Sequence, residues 1–252
     1  MEKVVFKKPE CMVDRQFHYC PGCGHGIVHR LIGELVDEMN LKEKTVGIAP
    51  VGCAVFAYYY YHFDFSQAAH GRAPAVATGI KRARPDLFVI SYQGDGDLAA
   101  IGTAEIVHAA NRGENITVVF INNGIYGMTG GQMAPTTLIG QKTTTTPYGR
   151  DPKEAGYPIR ICEMLSTLEG TTFAARSHVA DAKGVIQTKK YLKKAFEVQL
   201  NNKGFSIVEI LSQCPTNLGL TPIEALKYIK DKMAAYFPVG VYVDKTEKGG
   251  ES

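Results

Sequence analysis

The sequence predicts an α/β protein with a mostly parallel central sheet and helices on both of its faces. Two observations support this fold class. Short apolar segments typical of buried strands alternate with segments of helical periodicity along the chain. Polar, glycine-containing motifs follow the ends of predicted strands. Ligands bind at the carboxyl ends of parallel strands in such folds, so we expect a binding site where these motifs meet.

The first half of the chain contains the clearest alternation of helices and strands. Apolar residues at helical spacing, from Ile27 through Leu31 and Leu35 to Met39, predict the first helix. The first strand is predicted over residues 45–49. A helix over 73–80 that stops before Pro85, a strand over 87–92, a helix over 99–110 and a strand over 116–121 follow, and they contain a βαβ unit.

The second half predicts a long loop and then further helices and strands. Residues 126–156 are rich in Gly, Thr and Pro with few apolar residues, which predicts an irregular loop over a site. Helices are predicted over 160–168, 182–200 and 223–237, the last with Pro222 in its first turn, and strands over 171–175 and 205–211. The polar segment 244–252 is expected to be a frayed tail.

The composition favours one domain over residues 1–252. Of these 252 residues, 45% are hydrophobic and 21% are charged, as in soluble globular proteins, and no repeat or linker divides the chain. The 28 basic and 25 acidic residues give a net charge of +3 without a long run of one sign, so no nucleic-acid or membrane partner is expected. Because the chain has neither an apolar N-terminal core nor a stretch of about 18 apolar residues, we expect a cytoplasmic protein.

Two polar motifs follow neighbouring predicted strands. Gly-Asp-Gly-Asp at 94–97 follows one strand, Asn-Asn at 122–123 follows the next, and 25 residues separate Gly96 from the first asparagine. One helix and one strand fit in that interval, so Asp95 and Asn123 should lie on adjacent strand ends, about 5 Å apart in strand spacing. Mg²⁺ prefers oxygen ligands and often shares them with phosphate, to which Gly96 would allow close approach. The motifs therefore predict a diphosphate bridged by Mg²⁺.

A tight turn and an ordinary loop are the alternatives for either motif on its own. A dinucleotide-binding fold is a further alternative, but no Gly-x-Gly-x-x-Gly lies between a predicted strand and a helix. Together, at this spacing, the motifs resemble those of thiamine-diphosphate enzymes. That resemblance implies Mg²⁺ bound by the Asp95 carboxylate, the Asn123 side-chain oxygen and the backbone carbonyl of Ile125.

The six cysteines are expected to be ligands or buried thiols rather than disulfides. Two belong to a Cys-Pro-Gly-Cys-Gly-His motif at 20–25, while Cys53 and Cys214 each follow a predicted strand. A Cys-x-x-Cys pair with two distant cysteines suits a 4Fe-4S cluster. Structural zinc remains the alternative, although zinc modules more often keep their ligands in two local pairs. Cys11 and Cys162 lack such placement and are expected to be ordinary thiols.

Several motifs together resemble the thiamine-diphosphate-binding β subunit of 2-oxoacid:ferredoxin oxidoreductases. They are the motif at 20–25, Gly-Cys-Ala at 52–54, the segments 69–73 and 77–81, the motif at 94–97 and the segment 122–132, and the match spans residues 15–220. The resemblance implies a thiamine-diphosphate-binding fold and a 4Fe-4S cluster bound by Cys20, Cys23, Cys53 and Cys214. It also implies a set of cofactor-lining residues, namely Gly52, Cys53, Ala54, His70, Gly96, Asp97, Gly127, Met128 and Thr129.

Three residues of these motifs need separate comment. Cys53 would join the two sites, because a cluster ligand beside the thiazolium ring of the cofactor is what short-range electron transfer requires. His70 on its own would be read as a turn or core histidine, and only the surrounding motif favours a place at the cofactor. His25 could equally cap or pack at the first helix, so we assign it no role.

The resemblance also implies an activity and a set of partners. The activity is thiamine-dependent oxidative decarboxylation of a 2-oxoacid to an acyl-CoA and CO₂, with coenzyme A as acceptor and electrons passed to ferredoxin. No glutamate of this chain is a convincing activator of thiamine, so the catalytic residue is unknown and is expected from the partner α subunit. The chain has only two cysteines outside the proposed four, so ferredoxin-like clusters are expected in γ and δ subunits or their fusions.

The substrate is inferred from an aromatic run that follows Cys53. Phe56 and the four tyrosines at 58–61 include no cation, whereas some relatives that use 2-oxoglutarate place a lysine near the position of Phe56. Apolar walls favour apolar substrates, so we expect a branched-chain 2-oxoacid such as 2-oxoisovalerate, with 2-oxoglutarate and pyruvate as alternatives. Equally, the tyrosines could pack in a core or an interface.

Two other classes of function remain open at this point. One is a non-redox thiamine-dependent decarboxylase or synthase whose four cysteines bind structural zinc. The other is a non-catalytic zinc-binding scaffold. Metal content and the visible spectrum would separate both from an iron-sulfur enzyme.

Overall fold

A computed structural model describes residues 7–246 of the chain, and it contains a seven-stranded sheet. The strands are β1 (Thr45–Ala49), β2 (Asp64–Gln67), β3 (Phe88–Gly94), β4 (Thr117–Asn122), β5 (Thr171–His178), β6 (Phe205–Leu211) and β7 (Gly240–Asp244). Their order in the sheet is β2-β1-β3-β4-β6-β5-β7. All neighbours pair in parallel except β5 and β7, which are antiparallel. The predicted mostly parallel α/β fold is confirmed.

Helices cover both faces of the sheet because successive strand residues point to opposite sides. Phe88 and Ile90 of β3 belong to a core with the helices at 25–38 and 182–200. Val89 between them belongs to a core with the helices at 73–83, 103–111 and 161–166. No helix within residues 7–246 is long and apolar enough to cross a membrane. The helices are α1 (His25–Glu38), α2 (Ala73–Ala83), α3 (Thr103–Asn111), α4 (Pro152–Ala155), α5 (Ile161–Ser166), α6 (Ala182–Leu200), α7 (Pro215–Leu218), α8 (Pro222–Tyr228) and α9 (Ala234–Tyr236).

Two of the predicted helices are interrupted by π-helical turns. The helix predicted over 99–110 consists of a π-helical stretch, Gly96–Ile101, and then α3. Gly102 separates them, and a β-carbon there would lie 2.6 Å from the carbonyl oxygen of Gly71, so only glycine allows this close packing. The predicted last helix begins at Pro222 as expected and contains a π-helical turn, Ile229–Met233, between α8 and α9. Such π-turns often occur beside functional sites.

Two edge strands were not predicted. β2 has exposed residues at both of its ends and lacks the apolar pattern of a buried strand. β7 ends at Asp244, where we predicted a frayed tail to begin, and the Lys245 amide donates to the carbonyl of Thr172 at 2.9 Å. The first residue of the predicted tail, Asp244, therefore belongs to a strand. Residues 247–252 of the tail lie outside the described residues.

The connection between β4 and α5 is irregular, as predicted for residues 126–156. It contains α4 and isolated bridges but no strand. The buried Arg150 side chain organises it by donating hydrogen bonds to the carbonyls of Pro135, Thr137 and Tyr157 at 3.0, 2.7 and 3.0 Å. One arginine thus holds several otherwise unpaired loop carbonyls in place.

Candidate functional site

The carboxyl ends of β1, β3 and β4 meet at an open cleft of about 580 Å³. In the pairing of β3 with β4, Gly94 lies opposite Ile121, so the turns that follow the two strands begin side by side. Asp95 and Asn123 leave these adjacent strand ends, and both line the cleft together with Ile125. The structure therefore brings the three predicted Mg²⁺ ligands to one place.

The Asp95 carboxylate is held in a fixed orientation by three hydrogen bonds. It accepts from the amides of Gly96 and Gly124 at 2.8 and 2.7 Å and from the hydroxyl of Thr136 at 2.6 Å. Burial raises the pKa of Asp95 to about 6. Its hard oxygen donors fit Mg²⁺, and a cation would offset the cost of burying the charge.

His70 also faces the cleft, and a buried carboxylate orients it. Its Nδ1 lies 2.6 Å from Oδ1 of Asp97, which also accepts from the Gly71 amide at 2.6 Å. The Gln93 amide donates to the other Asp97 oxygen at 2.6 Å, and Ser91 donates to Gln93 at 2.8 Å. This chain of contacts leaves Nε2 as the free nitrogen of His70. Sequence reasoning missed Ser91 and Gln93 because they lie inside a strand and carry no motif.

The nine residues predicted to line a cofactor all border this cleft. A β-carbon on Gly52, whose φ is +94°, or on Gly94 would have no heavy atom within 4 Å, so the backbone is open to a ligand at both positions. A β-carbon on Gly96 would lie 2.2 Å from the ring of Tyr126, which gives this glycine a packing role that we did not predict. The nine are Gly52, Cys53, Ala54, His70, Gly96, Asp97, Gly127, Met128 and Thr129.

The four cysteines of the predicted cluster site lie close to one another. Cys23 is within electrostatic range of Cys20, Cys53 and Cys214, and burial together with these thiols raises its pKa to about 12. The same two causes raise the pKa of Cys53 to about 11. A β-carbon on Gly127 would lie 3.4 Å from the sulfur of Cys53 and 3.7 Å from that of Cys214. The structure therefore gathers cysteines from three separate parts of the sequence into one group.

No set of three or more His, Cys, Asp or Glu side chains within residues 7–246 converges on a single metal ion. The four thiols do not contradict this, because each cysteine of a 4Fe-4S cluster binds a different iron. Four thiolates are the donor set of a 4Fe-4S cluster, and zinc accepts the same donors.

The remaining two cysteines lie elsewhere in the core. The Cys11 thiol donates to the carbonyl of Gly33 at 3.3 Å, and the Cys162 thiol donates to that of Ala175 at 3.5 Å. Both side chains are buried. Their positions agree with the prediction of ordinary thiols.

The aromatic run after Cys53 does not form the walls of the cleft. Tyr60 and Tyr61 are buried in the core, where the Tyr61 hydroxyl lies 2.9 Å from Nδ1 of His29. Phe56, Tyr58 and Tyr59 are partly buried against the same core and do not line the cleft. The interpretation of these rings as a substrate wall is wrong, and the alternative of core packing is correct. Phe56, Tyr58 and Tyr59 lie within a short 3₁₀ helix, Cys53–Tyr59, and Tyr60 and Tyr61 follow it directly.

His25, which received no role from the sequence, lies at the cleft. Its Nδ1 is 2.6 Å from the Tyr92 hydroxyl, and its ring stacks on Tyr19 with 4.7 Å between centroids. Burial lowers the pKa of His25 to about 4, so the ring is neutral at pH 7. Its position in the helix-opening motif was the only signal in the sequence.

This chain is similar to known proteins over most of its length. Residues 50–210 match the family model described as thiamine pyrophosphate enzyme, C-terminal TPP binding domain. The chain is 51% identical to ketoisovalerate oxidoreductase subunit VorA of Methanothermobacter thermautotrophicus, over 98% of this chain and 54% of that relative. It is 40% identical to 2-oxoglutarate synthase subunit KorB of Methanocaldococcus jannaschii, over 86% of this chain and 79% of that relative.

A solved structure is also similar. It is the 2-oxoglutarate:ferredoxin oxidoreductase from Magnetococcus marinus with 2-oxoglutarate, coenzyme A and succinyl-CoA bound. The TM-score is 0.78 with 28% identity, over 96% of this chain and 86% of that chain. The chain spans about half the length of the VorA relatives that it matches.

Proposed function

The chain belongs to the thiamine-pyrophosphate-binding β subunits of the 2-oxoacid:ferredoxin oxidoreductases, and on this premise we propose that it carries thiamine diphosphate, Mg²⁺ and a 4Fe-4S cluster in a larger enzyme. That enzyme would oxidatively decarboxylate a 2-oxoacid to an acyl-CoA and CO₂ and pass the electrons to ferredoxin. The observation that carries the proposal is the position of Cys53. This residue lines the cleft and also lies among the other three thiols.

The cleft residues have separate tasks in this proposal. Asp95, Asn123 and Ile125 would supply oxygen ligands to Mg²⁺, which in turn would neutralise the diphosphate. His70, fixed by Asp97, would present Nε2 to the bound cofactor. The cofactor itself supplies the electron sink that allows CO₂ to leave a 2-oxoacid. The protein contributes orientation and charge compensation.

The four cysteines would hold the cluster between the cleft and the surface. Cys53 is half-buried at the cleft, Cys214 is buried, and Cys20 is exposed. Electrons leaving the cofactor would therefore enter beside Cys53 and could leave on the side of Cys20. Ferredoxin-like γ and δ subunits, or fusions of them, would receive the electrons there.

We propose a branched-chain 2-oxoacid, such as 2-oxoisovalerate, as substrate. Within the described residues the cleft is lined by neither lysine nor arginine, so this chain itself offers no strong cation to a second carboxylate. Val51, Ala54, Ile125 and Met128 supply apolar surface instead. The similarity to a ketoisovalerate oxidoreductase subunit agrees with this choice. 2-Oxoglutarate is the second candidate, because KorB and the Magnetococcus marinus enzyme are named for it.

A partner α subunit would complete the active site. The acidic residues that line the cleft are Asp95 and Asp97, and both carboxylates are already held by hydrogen bonds. No glutamate of residues 7–246 lines the cleft, so the carboxylate that activates thiamine would come from another chain. The complete enzyme would use coenzyme A as acyl acceptor and work in the cytoplasm.

The proposal is tested on the anaerobically purified complex. We expect iron rather than zinc, and a broad brown absorption that dithionite bleaches. Addition of 2-oxoisovalerate and coenzyme A should reduce ferredoxin faster than addition of 2-oxoglutarate or pyruvate. A colourless, zinc-containing complex would indicate a non-redox thiamine enzyme or a scaffold. Preference for 2-oxoglutarate would overturn the substrate assignment alone.

A further inference from the structure

Asn217 occupies a position set by the turn that follows β6. Pro215 opens α7 directly after Cys214, and the amide of Leu218 donates to the carbonyl of Cys214 at 3.1 Å. Residues three apart lie on the same side of a helical turn. The fold therefore returns the Asn217 side chain to the sulfur of Cys214.

The Asn217 amide contacts both parts of the site. Its Nδ2 donates to the carbonyl of Gly127 at 2.8 Å and lies 3.5 Å from the sulfur of Cys214. A side-chain amide nitrogen carries two hydrogens, so both bonds can form at once. The Oδ1 atom lies against the loop, because a β-carbon on Gly131 would be 3.2 Å away from it. Asn217 is half-buried between the loop and the thiols.

Gly127 is the point where the two sites touch. It lines the cleft, and a β-carbon on it would approach the sulfurs of Cys53 and Cys214 at 3.4 and 3.7 Å. The same β-carbon would lie 3.7 Å from Nδ2 of Asn217. One amide therefore joins the backbone of the cleft loop to a predicted cluster ligand.

We propose that Asn217 is a positioning residue that couples the cluster site to the cofactor cleft. The inference deepens the proposed function and rests on it. Its N–H···S bond to Cys214 stabilises the more negative, reduced cluster and so raises the reduction potential. Its bond to Gly127 keeps the segment 127–129 in the position that borders the cofactor. Coupling through one side chain is reciprocal, so cofactor binding should also change the cluster potential.

The test compares Asn217→Leu with Thr216→Val in the anaerobic complex. Thr216 lies next to Asn217 on the same turn but is exposed, which makes it a matched control. Redox titration followed by electron paramagnetic resonance measures the cluster potential with and without thiamine diphosphate. Calorimetry measures thiamine diphosphate affinity. We expect Asn217→Leu to lower the potential, to weaken cofactor binding roughly fivefold as for one lost hydrogen bond, and to reduce the cofactor-dependent shift.

A second variant, Asn217→Asp, distinguishes loss of the hydrogen bonds from a folding defect. It keeps the shape of the side chain, removes both donors and places a negative charge beside the sulfur, so the potential should fall further. Thr216→Val should match the wild type in both measurements. Wild-type potentials in both Asn217 variants would overturn the inference while the proposed function stands. A wild-type complex without iron would instead overturn the proposed function.

Discussion

The Asp97 carboxylate is held at the cleft by three short contacts. It contacts His70, the Gly71 amide and Gln93, each at 2.6 Å. Charge-assisted hydrogen bonds of this kind are roughly twice as strong as neutral ones. They fix which nitrogen of His70 faces the cleft. The motif at 94–97 indicated a phosphate site, but it could not show that its second aspartate serves a histidine 27 positions earlier in the chain.

Replacing one of the predicted cluster cysteines should remove the iron without unfolding the sheet. We expect Cys214→Ser to lose most of the iron and the brown absorption, because a serine hydroxyl is a poor substitute for a thiolate ligand. Cys162→Ser is the control, since this buried thiol bonds only to a core carbonyl and lies outside the four-thiol group. Iron analysis and circular dichroism measure both effects. Equal iron in Cys214→Ser and the wild type would contradict the ligand assignment.

The buried histidine at the cleft predicts a loss of stability in acid. Burial lowers the pKa of His25 to about 4, below its unfolded value of about 6.5. The unfolded chain therefore takes up the proton first, so stability is fully present above pH 6.5 and falls as the pH drops toward 4. Complete loss of this contribution from His25 would lower the free energy of unfolding by about 3 kcal/mol.

Urea unfolding of the metal-free chain between pH 7.5 and 4.5 measures this loss. His25→Gln should be less stable at neutral pH but should lose less stability in acid than the wild type. His108→Gln is the control, because His108 lies exposed on α3. The explanation fails should His25→Gln and the wild type show the same pH dependence.

Individual elements were predicted well where their burial is regular. β1, α6 and β6 have the predicted bounds because each is a continuous apolar run or a regular helical face. β7 was missed because none of its residues is fully buried and Val241 is exposed. It is held by tertiary contacts, among them hydrogen bonds from the buried Arg176 of β5 to the carbonyl of Pro238 and to the hydroxyl of Tyr242. Such long-range contacts leave no periodic pattern in the sequence.

The loop between β4 and α5 should depend on Arg150. We expect Arg150→Met to leave its carbonyl acceptors unpaired, at a cost of about 1–3 kcal/mol each where water cannot replace the arginine. The segment 134–157 should then exchange its amide hydrogens faster, and cofactor affinity should fall because Asp95 is held by Thr136 in that segment.

Hydrogen exchange followed by mass spectrometry measures this effect. Arg84→Met is the control, since Arg84 pairs with Asp86 at the surface. We expect unchanged exchange in that variant. Unchanged exchange over 134–157 in Arg150→Met would show that the loop is ordered by other contacts.

At the scale of the whole molecule, the sequence predicted the class of the fold and the meeting of two motifs at one sheet edge. It could do so because parallel strands leave their carboxyl ends on the same side. The direction of the aromatic run could not be predicted, since the 3₁₀ helix Cys53–Tyr59 leads Tyr60 and Tyr61 into the core. The substrate preference therefore rests on the absence of cations from the described cleft lining and on the VorA likeness. That the chain forms one domain stays a prediction.

The isolated chain should turn over little 2-oxoacid. Its described cleft lacks a lining glutamate, and the carboxylates of Asp95 and Asp97 have other partners. We expect substrate-dependent electron transfer only after the α subunit is added. Rates of ferredoxin reduction by the chain alone and by the reconstituted complex measure the difference. Full-rate turnover by the chain alone would refute the shared active site.

The uneven exposure of the four thiols also has a consequence for handling the chain without its partner subunits. Cys20 is exposed in this chain while Cys214 is buried, so dioxygen would reach a cluster bound there from the Cys20 side. Damage in air should then begin with release of the outermost iron, and the surrounding protein should keep its helices and strands after the colour has faded. Adding iron and sulfide under argon should restore the cluster and its brown absorption in this material.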